Sequence, residues 1–287
     1  MNRDTGGSST SEGDMSSDQK LIPERALSRR DLIIAGVGGF IGVATGALGT
    51  VVTTYVQERA RASLASGHLM VYPEVIWNID GGWTFYSHSP IDLSTQPDIT
   101  EGDDAGLISY LVENGCVTRS PLIVVLHLSR PGDSPAIIRH IDLINHRKSP
   151  PIDNVVHVSE TAGANDNAVF AIDLDQRNAR FVRSDLSSVW DPGKIHGQPD
   201  VFSSSTFSVG PHLTESMTLA FLSVHYTHEF LLRVQYFVEG REHSTDLNLA
   251  GLPFRVAPYV EKPKQIYCVP WYDNINKLVP CVLETPR

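Results

Sequence analysis

The chain has 287 residues, 41% of them apolar, and a formal net charge of -10. That length and composition suit a globular protein with a sizeable core. The acidic balance and the lack of a long basic run exclude a nucleic-acid-binding footprint, so no nucleic-acid partner is expected.

Residues 1–27 are rich in Ser, Gly, Asp and Glu and contain few large apolar side chains. Such a segment cannot bury enough surface to offset the entropy lost on ordering. We therefore predict a disordered cytoplasmic tail over 1–27.

Residues 32–56 contain no charged side chain. A helix that crosses a bilayer needs about 20 apolar residues, so this run predicts one transmembrane signal anchor within 28–57. More basic residues precede the run than follow it: Lys20, Arg25, Arg29 and Arg30 before it, Arg59 and Arg61 after it. Because basic flanks stay cytoplasmic, the C-terminal part is expected to be extracytoplasmic.

Gly38, Gly42 and Gly46 recur every fourth residue within the anchor and share one helix face. Small residues at this spacing let a second helix approach closely, which favours self-association through the membrane. The alternative is that glycine only lowers the hydrophobicity of an export signal. Both interpretations remain open.

The segment 28–34, Ser-Arg-Arg-Asp-Leu-Ile-Ile, resembles the twin-arginine export signal, with Ile34 where that family has Lys. The resemblance implies export, with Arg29 and Arg30 as the recognised pair. A small-x-small site at 63–65 would permit cleavage after Ala65. The apolar run exceeds the 7–15 residues typical of a cleaved signal core, which favours an uncleaved anchor.

From residue 66 the chain alternates short β-branched and aromatic runs with Gly, Pro, Asn and Asp. This pattern predicts a mainly β domain over 66–257, an antiparallel β-sandwich of the immunoglobulin-like or jelly-roll-like kind. The expected strands are 69–79, 121–129, 137–146, 155–159, 169–174, 201–209, 216–225, 229–238, 242–249 and 253–257. The strand at 229–238 alternates most regularly, and Glu239-Gly240 predicts a hairpin turn after it.

Three short segments, 136–141, 170–175 and 252–256, look similar to domains in uncharacterised membrane-anchored proteins of Gram-positive bacteria. This resemblance implies membrane anchoring and carries no function.

Residues 258–287 are interpreted as a C-terminal extension that holds Cys268 and Cys281. Their spacing suits a disulfide, and an extracytoplasmic compartment would be oxidising. Cys116 would then be left over as a small buried residue. Three cysteines allow three pairings, so the role of Cys116 stays open.

Trp77, Trp83 and Tyr86 cluster near the start of the β domain. Exposed aromatic rings there would offer a binding surface, for instance for a sugar. The alternative is that they pack in the core.

Asp173 and Asp175 flank one residue and would share a strand face, as paired carboxylates in a glycosidase could. A solvated strand face produces the same pattern. Nucleophile-elbow, zinc-protease and phosphate-loop motifs are missing from the sequence, so no catalytic residue, metal or cofactor is predicted.

The sequence thus favours a membrane-anchored extracytoplasmic binding or structural protein of the cell envelope, without catalysis. One alternative is an envelope hydrolase with a loop-built active site. Another is a membrane-tethered regulatory module that faces the cytoplasm.

Overall fold

Most of the regular elements are strands in the part of the chain that the computed structural model describes, as the sequence predicts. It describes residues 68–77, 82–97, 105–160, 168–185, 189, 191–269 and 277–281, all within the compact unit Phe40–Arg287. The predicted tail, the signal anchor with Arg29, Arg30, Gly38, Gly42 and Gly46, and the site after Ala65 lie outside these ranges. Among the helices that the structure describes, none is both long and apolar enough to cross a membrane.

The elements of the described ranges are named here in chain order. They are β1 (Met70–Ile76), β2 (Gly82–Ser87), α1 (Ala105–Glu113), β3 (Val117–Arg119), β4 (Leu122–Ser129), β5 (Ala136–Ser149), β6 (Val155–Glu160), β7 (Ala168–Asp173), β8 (Val182–Asp185), α2 (Val201–Ser204), β9 (Phe207–Val209), β10 (Thr214–Leu222), β11 (Thr227–Val238), β12 (Arg241–Leu247), β13 (Phe254–Ala257), β14 (Gln265–Cys268) and β15 (Val279–Pro280).

The strands form two sheets. One has the order β1-β4-β10-β7-β8, and the other has the order β15-β14-β6-β2-β3-β13-β11-β5-β9, with β12 paired to β11. The largest apolar cluster takes side chains from both sheets, including Val124 and Leu219 from the first and Leu232 and Val234 from the second. Two sheets with a shared core are consistent with a β-sandwich.

Strand β11 shows why the local pattern predicts well. Its apolar residues at period two are all buried: Phe230, Leu232, Val234, Tyr236 and Val238. Val238 pairs with Arg241, and the two residues between them have φ of 53° and 75°. Positive φ at both central positions is typical of a type I′ hairpin, so the turn predicted at Glu239-Gly240 is confirmed.

The pairing is mixed, which corrects the prediction of an antiparallel fold. Three pairs run parallel: β7 with β10, β3 with β13, and β6 with β14. Parallel partners need long connections, and the chain supplies them because each pair is separated by several other elements. Alternation of side chains reports which face is buried and does not report the direction of the neighbouring strand.

The predicted boundary at 257 does not separate the C-terminal residues from the sheet, because β14 pairs with β6. Cys268, the last residue of β14, and Cys281, which follows β15, form a disulfide with their Cα atoms 6.0 Å apart, while Cys116 is free and buried. The strand predicted over 201–209 is instead α2 followed by β9. Asp200 caps α2, since its carboxylate accepts the Phe202 N–H at 3.0 Å.

Candidate functional site

An apolar cleft of about 300 Å³ lies between the end of α1 and the turn that precedes β13. Its apolar lining comes from Trp77, Phe85, Val112, Leu249, Leu252 and Pro253. A concave, mainly apolar site with a few polar groups is the usual form of a small-molecule site. We refer to it below as the apolar cleft.

Two aromatic rings line the cleft from the β1 and β2 side. The Trp77 and Phe85 ring centroids are 5.3 Å apart. Phe85 is fully buried, whereas Trp77 is half-buried at the end of β1 and contacts both large apolar clusters. A fixed Phe85 against a partly exposed Trp77 gives the cleft a rigid aromatic wall that a ligand could reach.

A tight turn forms the opposite side. Leu249 and Leu252 bridge each other, and Ala250 and Gly251 between them have φ of 51° and 92°, as in a type I′ turn. The Asn248 side-chain oxygen accepts the Gly251 N–H at 2.8 Å and holds the turn. Leu252 is 41% exposed, so the turn presents apolar surface to solvent beside the cleft.

The third wall is the C-terminal end of α1. Gly115 has φ of 78°, and the N–H groups of Gly115 and Cys116 donate to Val112 and Leu111 at 3.0 and 2.9 Å. These bonds close the helix end as glycine-terminated helices commonly do. Arg255 Nη1 also donates to the Gly115 carbonyl at 3.1 Å. A cation at this position complements the helix dipole.

Two of the three charged side chains in the described lining of the cleft are acidic. Glu113 and Glu229 both line it, and Arg255 is the basic residue among the described lining. Arg255 Nε lies 3.3 Å from the Glu229 carboxylate, so its charge is already paired. The cleft therefore carries a net negative charge.

Cys116 also lines the cleft, but its thiol is not a nucleophile. Burial raises its pKa to about 12, against a smaller lowering by Arg255. The thiolate is the reactive form of cysteine, and at neutral pH almost none is present.

Of the three aromatic residues predicted to form a binding surface, the structure places Trp77 in the cleft and buries the others. Trp83 and Tyr86 are 2% and 1% exposed, so they pack in the core, the alternative that the sequence left open. The physical reason is their strand. β2 lies between β3 and β6 inside the larger sheet, and both of its faces are covered. The sequence pattern could not show that second covering layer.

Asp173 and Asp175 do not form an open pair of carboxylates. Asp173 ends β7, and its carboxylate accepts the Asp175 N–H at 3.0 Å and contacts His196 Nε2 at 2.8 Å. Asp175 follows in the turn, where one carboxylate oxygen accepts the N–H groups of Val224 and His225 at 2.7 and 2.8 Å. Both carboxylates are thus engaged within the fold.

Asp175 begins a chain of polar side chains that the sequence did not reveal. Its second carboxylate oxygen lies 2.8 Å from His228 Nε2, and His228 Nδ1 lies 2.8 Å from His146 Nε2. His228 is fully buried. A bulge in β5 opposite β11, with Asn145 at φ of 53°, sets His146 over His228. We call this the Asp175–His228–His146 chain.

Burial sets the protonation of this chain. It lowers the pKa of His146 to about 4 and holds that of His228 below its usual value despite Asp175. Burial alone would raise the pKa of Asp175, but hydrogen bonds from Val224, His228 and His225 outweigh it and the pKa lies below its ordinary value. Near neutral pH, His228 therefore donates Nε2–H to the carboxylate and accepts the Nε2–H of His146.

A second row of polar side chains crosses the outer face of the five-stranded sheet. His127 Nε2 lies 2.6 Å from a Glu74 carboxylate oxygen, and His127 Nδ1 lies 3.4 Å from Ser216 Oγ. The Tyr72 ring stacks on His127 at 5.1 Å. The hydrogen bond from His127 lowers the pKa of Glu74, while burial and then Glu74 raise that of Tyr72 to about 12.

This carboxylate–imidazole–hydroxyl row arises only from strand register. Tyr72 and Ser216 lie on the two strands that flank β4, each directly opposite His127. Side chains directly opposite in a sheet come within about 5 Å, so such contacts also occur without function. The described ranges contain no group of three or more His, Cys, Asp or Glu side chains suited to hold a metal ion.

No protein-family model matches the chain, and no match is found among curated proteins or solved structures.

Proposed function

We propose that this chain is a membrane-anchored, extracytoplasmic binding protein of the cell envelope that takes a small apolar ligand into the cleft beside Trp77. The observation that carries the proposal is the apolar cleft of about 300 Å³. Its volume reaches the lower end of the range for small-molecule sites, roughly 300–1,000 Å³. The uncharged run at 32–56 and its basic flank support the anchor and the placement outside.

The chemistry of the cleft supports binding over transformation. Cys116 is protonated, and Arg255 is held by Glu229 and by the Gly115 carbonyl. Trp77, Val112, Leu249, Leu252 and Pro253 add apolar contact area to the cleft. The β-sandwich of immunoglobulin-like or jelly-roll-like kind behind one transmembrane helix is part of the same proposal.

The binding proposal is tested with the full-length protein in lipid nanodiscs and a neutral apolar probe, 4-phenylbutan-1-ol, in a calorimetric titration. Saturable binding is expected, and Trp77→Ala should weaken it by about tenfold because an aromatic wall is lost. Tyr259→Ala is the matched control, because Tyr259 is an exposed aromatic residue outside the cleft. Equal effects of the two substitutions would contradict the proposal.

The topology is tested separately. Protease added to intact spheroplasts should digest the part after residue 66 and spare the tail. Protection of the domain would instead support a regulatory module that faces the cytoplasm. A double substitution, Arg29→Lys with Arg30→Lys, should block export if the twin-arginine route is used.

A hydrolase is the second candidate, and the row of Glu74, His127 and Ser216 is the observation that favours it. In such a role His127 would take the hydroxyl proton as Ser216 attacks an ester carbonyl. A fluorophosphonate probe should then label Ser216, and His127→Ala should abolish labelling. Labelling that is no stronger than at Ser208, an exposed serine on β9, would remove this candidate.

A further inference from the structure

We infer that the apolar cleft selects organic cations: molecules with an apolar body and one positively charged end, such as an aryl-alkyl ammonium. The inference rests on the proposed binding function and names the ligand class for the same site. It is carried by the charges around the cleft, the orientation of α1 and the aromatic wall.

The carboxylates provide the first argument. Glu113 and Glu229 face the cleft, and Arg255 is the basic residue among its described lining. Arg255 is already engaged, since its Nε lies 3.3 Å from Glu229 and its Nη1 donates to the Gly115 carbonyl at 3.1 Å. A carboxylate ligand would have to displace Glu229 from Arg255 and would then face both glutamates. An ammonium group needs no such displacement. Glu229 and Arg255 offset each other, so Glu113 leaves the cleft a net negative charge that attracts a cation.

The direction of α1 adds to this charge. The helix reaches the cleft with its C-terminal end, through Val112, Glu113 and Gly115. The C-terminal end of a helix carries a partial negative charge of roughly half an elementary charge. Arg255 offsets part of this negative charge through its bond to the Gly115 carbonyl, and the Glu113 carboxylate on the last turn adds to it.

The aromatic wall completes the site. Trp77 presents ring surface to the cleft, and the fully buried Phe85 ring packs against it at a centroid distance of 5.3 Å. The faces of aromatic rings attract cations, and tryptophan does so most strongly. The Trp77 ring would also contact the apolar body of a ligand, so one wall serves both parts of an amphipathic cation. The acidic excess of the whole chain, -10, favours the approach of cations further.

The test compares three probes with the same apolar body: 4-phenylbutylamine, 4-phenylbutan-1-ol and 4-phenylbutyrate. Each is titrated into full-length protein in nanodiscs of neutral lipid near neutral pH, with partition into empty nanodiscs subtracted. We expect the amine to bind about tenfold more tightly than the carboxylate, with the alcohol between them. Added salt should reduce the preference, because the charges at the rim are partly exposed.

Two variants assign the preference to the cleft. Glu113→Gln, at an exposed position, and Glu229→Gln should each reduce the ratio of amine to alcohol affinity by about threefold. Glu215→Gln on β10 is the matched control and should leave the ratio unchanged. If Glu229→Gln lowers the thermal unfolding midpoint strongly, Glu113→Gln alone carries the comparison, since it removes no ion pair of Arg255.

The outcomes separate the inference from the proposed function. If the alcohol or the carboxylate binds as tightly as the amine and Trp77→Ala weakens all three, the site binds apolar ligands and the charge selection is wrong. If none of the probes binds saturably, or if Trp77→Ala changes none of them, the proposed function fails as well. A preference for the amine that survives both glutamate substitutions would also overturn the inference.

Discussion

The apolar cleft and the Asp175–His228–His146 chain show opposite uses of polar groups near the surface. In the chain, hydrogen bonds connect side chains to one another and to the turn at Val224 and His225. In the cleft, apolar surface and acidic charge remain open to a ligand. A closed network stabilises one conformation, whereas an open apolar site can gain free energy from a partner.

This contrast explains why many titratable side chains do not by themselves mark a functional site. Asp173, Asp175 and the histidines near them attract attention because they are chemically versatile. The structure uses them to fix the turns between strands. The following predictions test whether the cleft is chemically unreactive and whether the hydrogen bonds of the Asp175–His228–His146 chain stabilise the fold.

The largest effect is expected for alkylation of Cys116. Burial raises its pKa to about 12, so iodoacetamide at mildly alkaline pH should modify it about a thousandfold more slowly in the folded protein than in concentrated urea. Mass spectrometry of the alkylated peptide measures both rates, and the Cys268–Cys281 disulfide keeps the other two cysteines out of the reaction. Comparable rates in the two states would mean that the cleft wall does not protect a neutral thiol.

Asp175→Ala tests the closed chain. The substitution removes the acceptor of the buried His228 N–H and of two backbone N–H groups, and we expect a loss of about 3 kcal/mol in the free energy of unfolding. Asp153→Ala is the control, because Asp153 is 58% exposed and 3.8 Å from Lys264. Its loss should stay below about 0.5 kcal/mol in the same urea titration. Equal losses would mean that the Asp175 network adds no stability.

The features that the sequence predicted correctly depend on neighbouring residues. The buried alternation of β11 and the hairpin at Glu239-Gly240 need only the side-chain period of a strand and a local preference for positive φ. These properties are fixed by a few adjacent positions, so composition and order are sufficient to find them.

The features that were not predicted depend on register between distant segments. His146 and His228 are 82 residues apart, and a bulge decides that their rings meet. Trp77 and Arg255 line the same cleft only because two sheets and a helix pack together. Burial of Trp83 likewise depends on what covers β2, which the alternation of its own residues does not reveal. A shift of one residue in strand register would turn these side chains to the opposite face of the sheet and break the contacts.

The pH dependence of stability tests the protonation of the chain. Folding lowers the pKa of His146 from 6.5 to about 4 and lowers that of His228, so between these values the unfolded chain binds more protons. Stability should therefore be complete above about pH 6.5 and fall as the pH drops toward 4, by about 1–2 kcal/mol after allowance for solvent screening at His146.

Urea titrations across this pH range measure the slope, and His146→Gln should flatten it. A residual slope is expected from His228 and from His157; burial lowers the pKa of both, and that of His157 to about 4. His140→Gln is the control, because the His140 side chain is 43% exposed. A slope that is unaffected by His146→Gln would indicate that His146 is not held neutral by the fold.

The smallest effect concerns the turn at the cleft. Ala250 has φ of 51°, and this backbone conformation costs a residue with a Cβ about 1–2 kcal/mol. Ala250→Gly therefore removes strain from the folded state, but it also adds conformational entropy to the unfolded chain. We expect a net gain of about 0.5 kcal/mol, and a loss of about 1 kcal/mol for Gly251→Ala, because φ of 92° there excludes an ordinary side chain. Urea midpoints measure both changes.

The affinity for 4-phenylbutylamine should change less than about twofold in Ala250→Gly, because the turn keeps Leu249 and Leu252 in place through the Asn248 hydrogen bond. A larger loss of affinity without a change in stability would mean that the strained turn, rather than the aromatic wall, determines how the cleft holds its ligand.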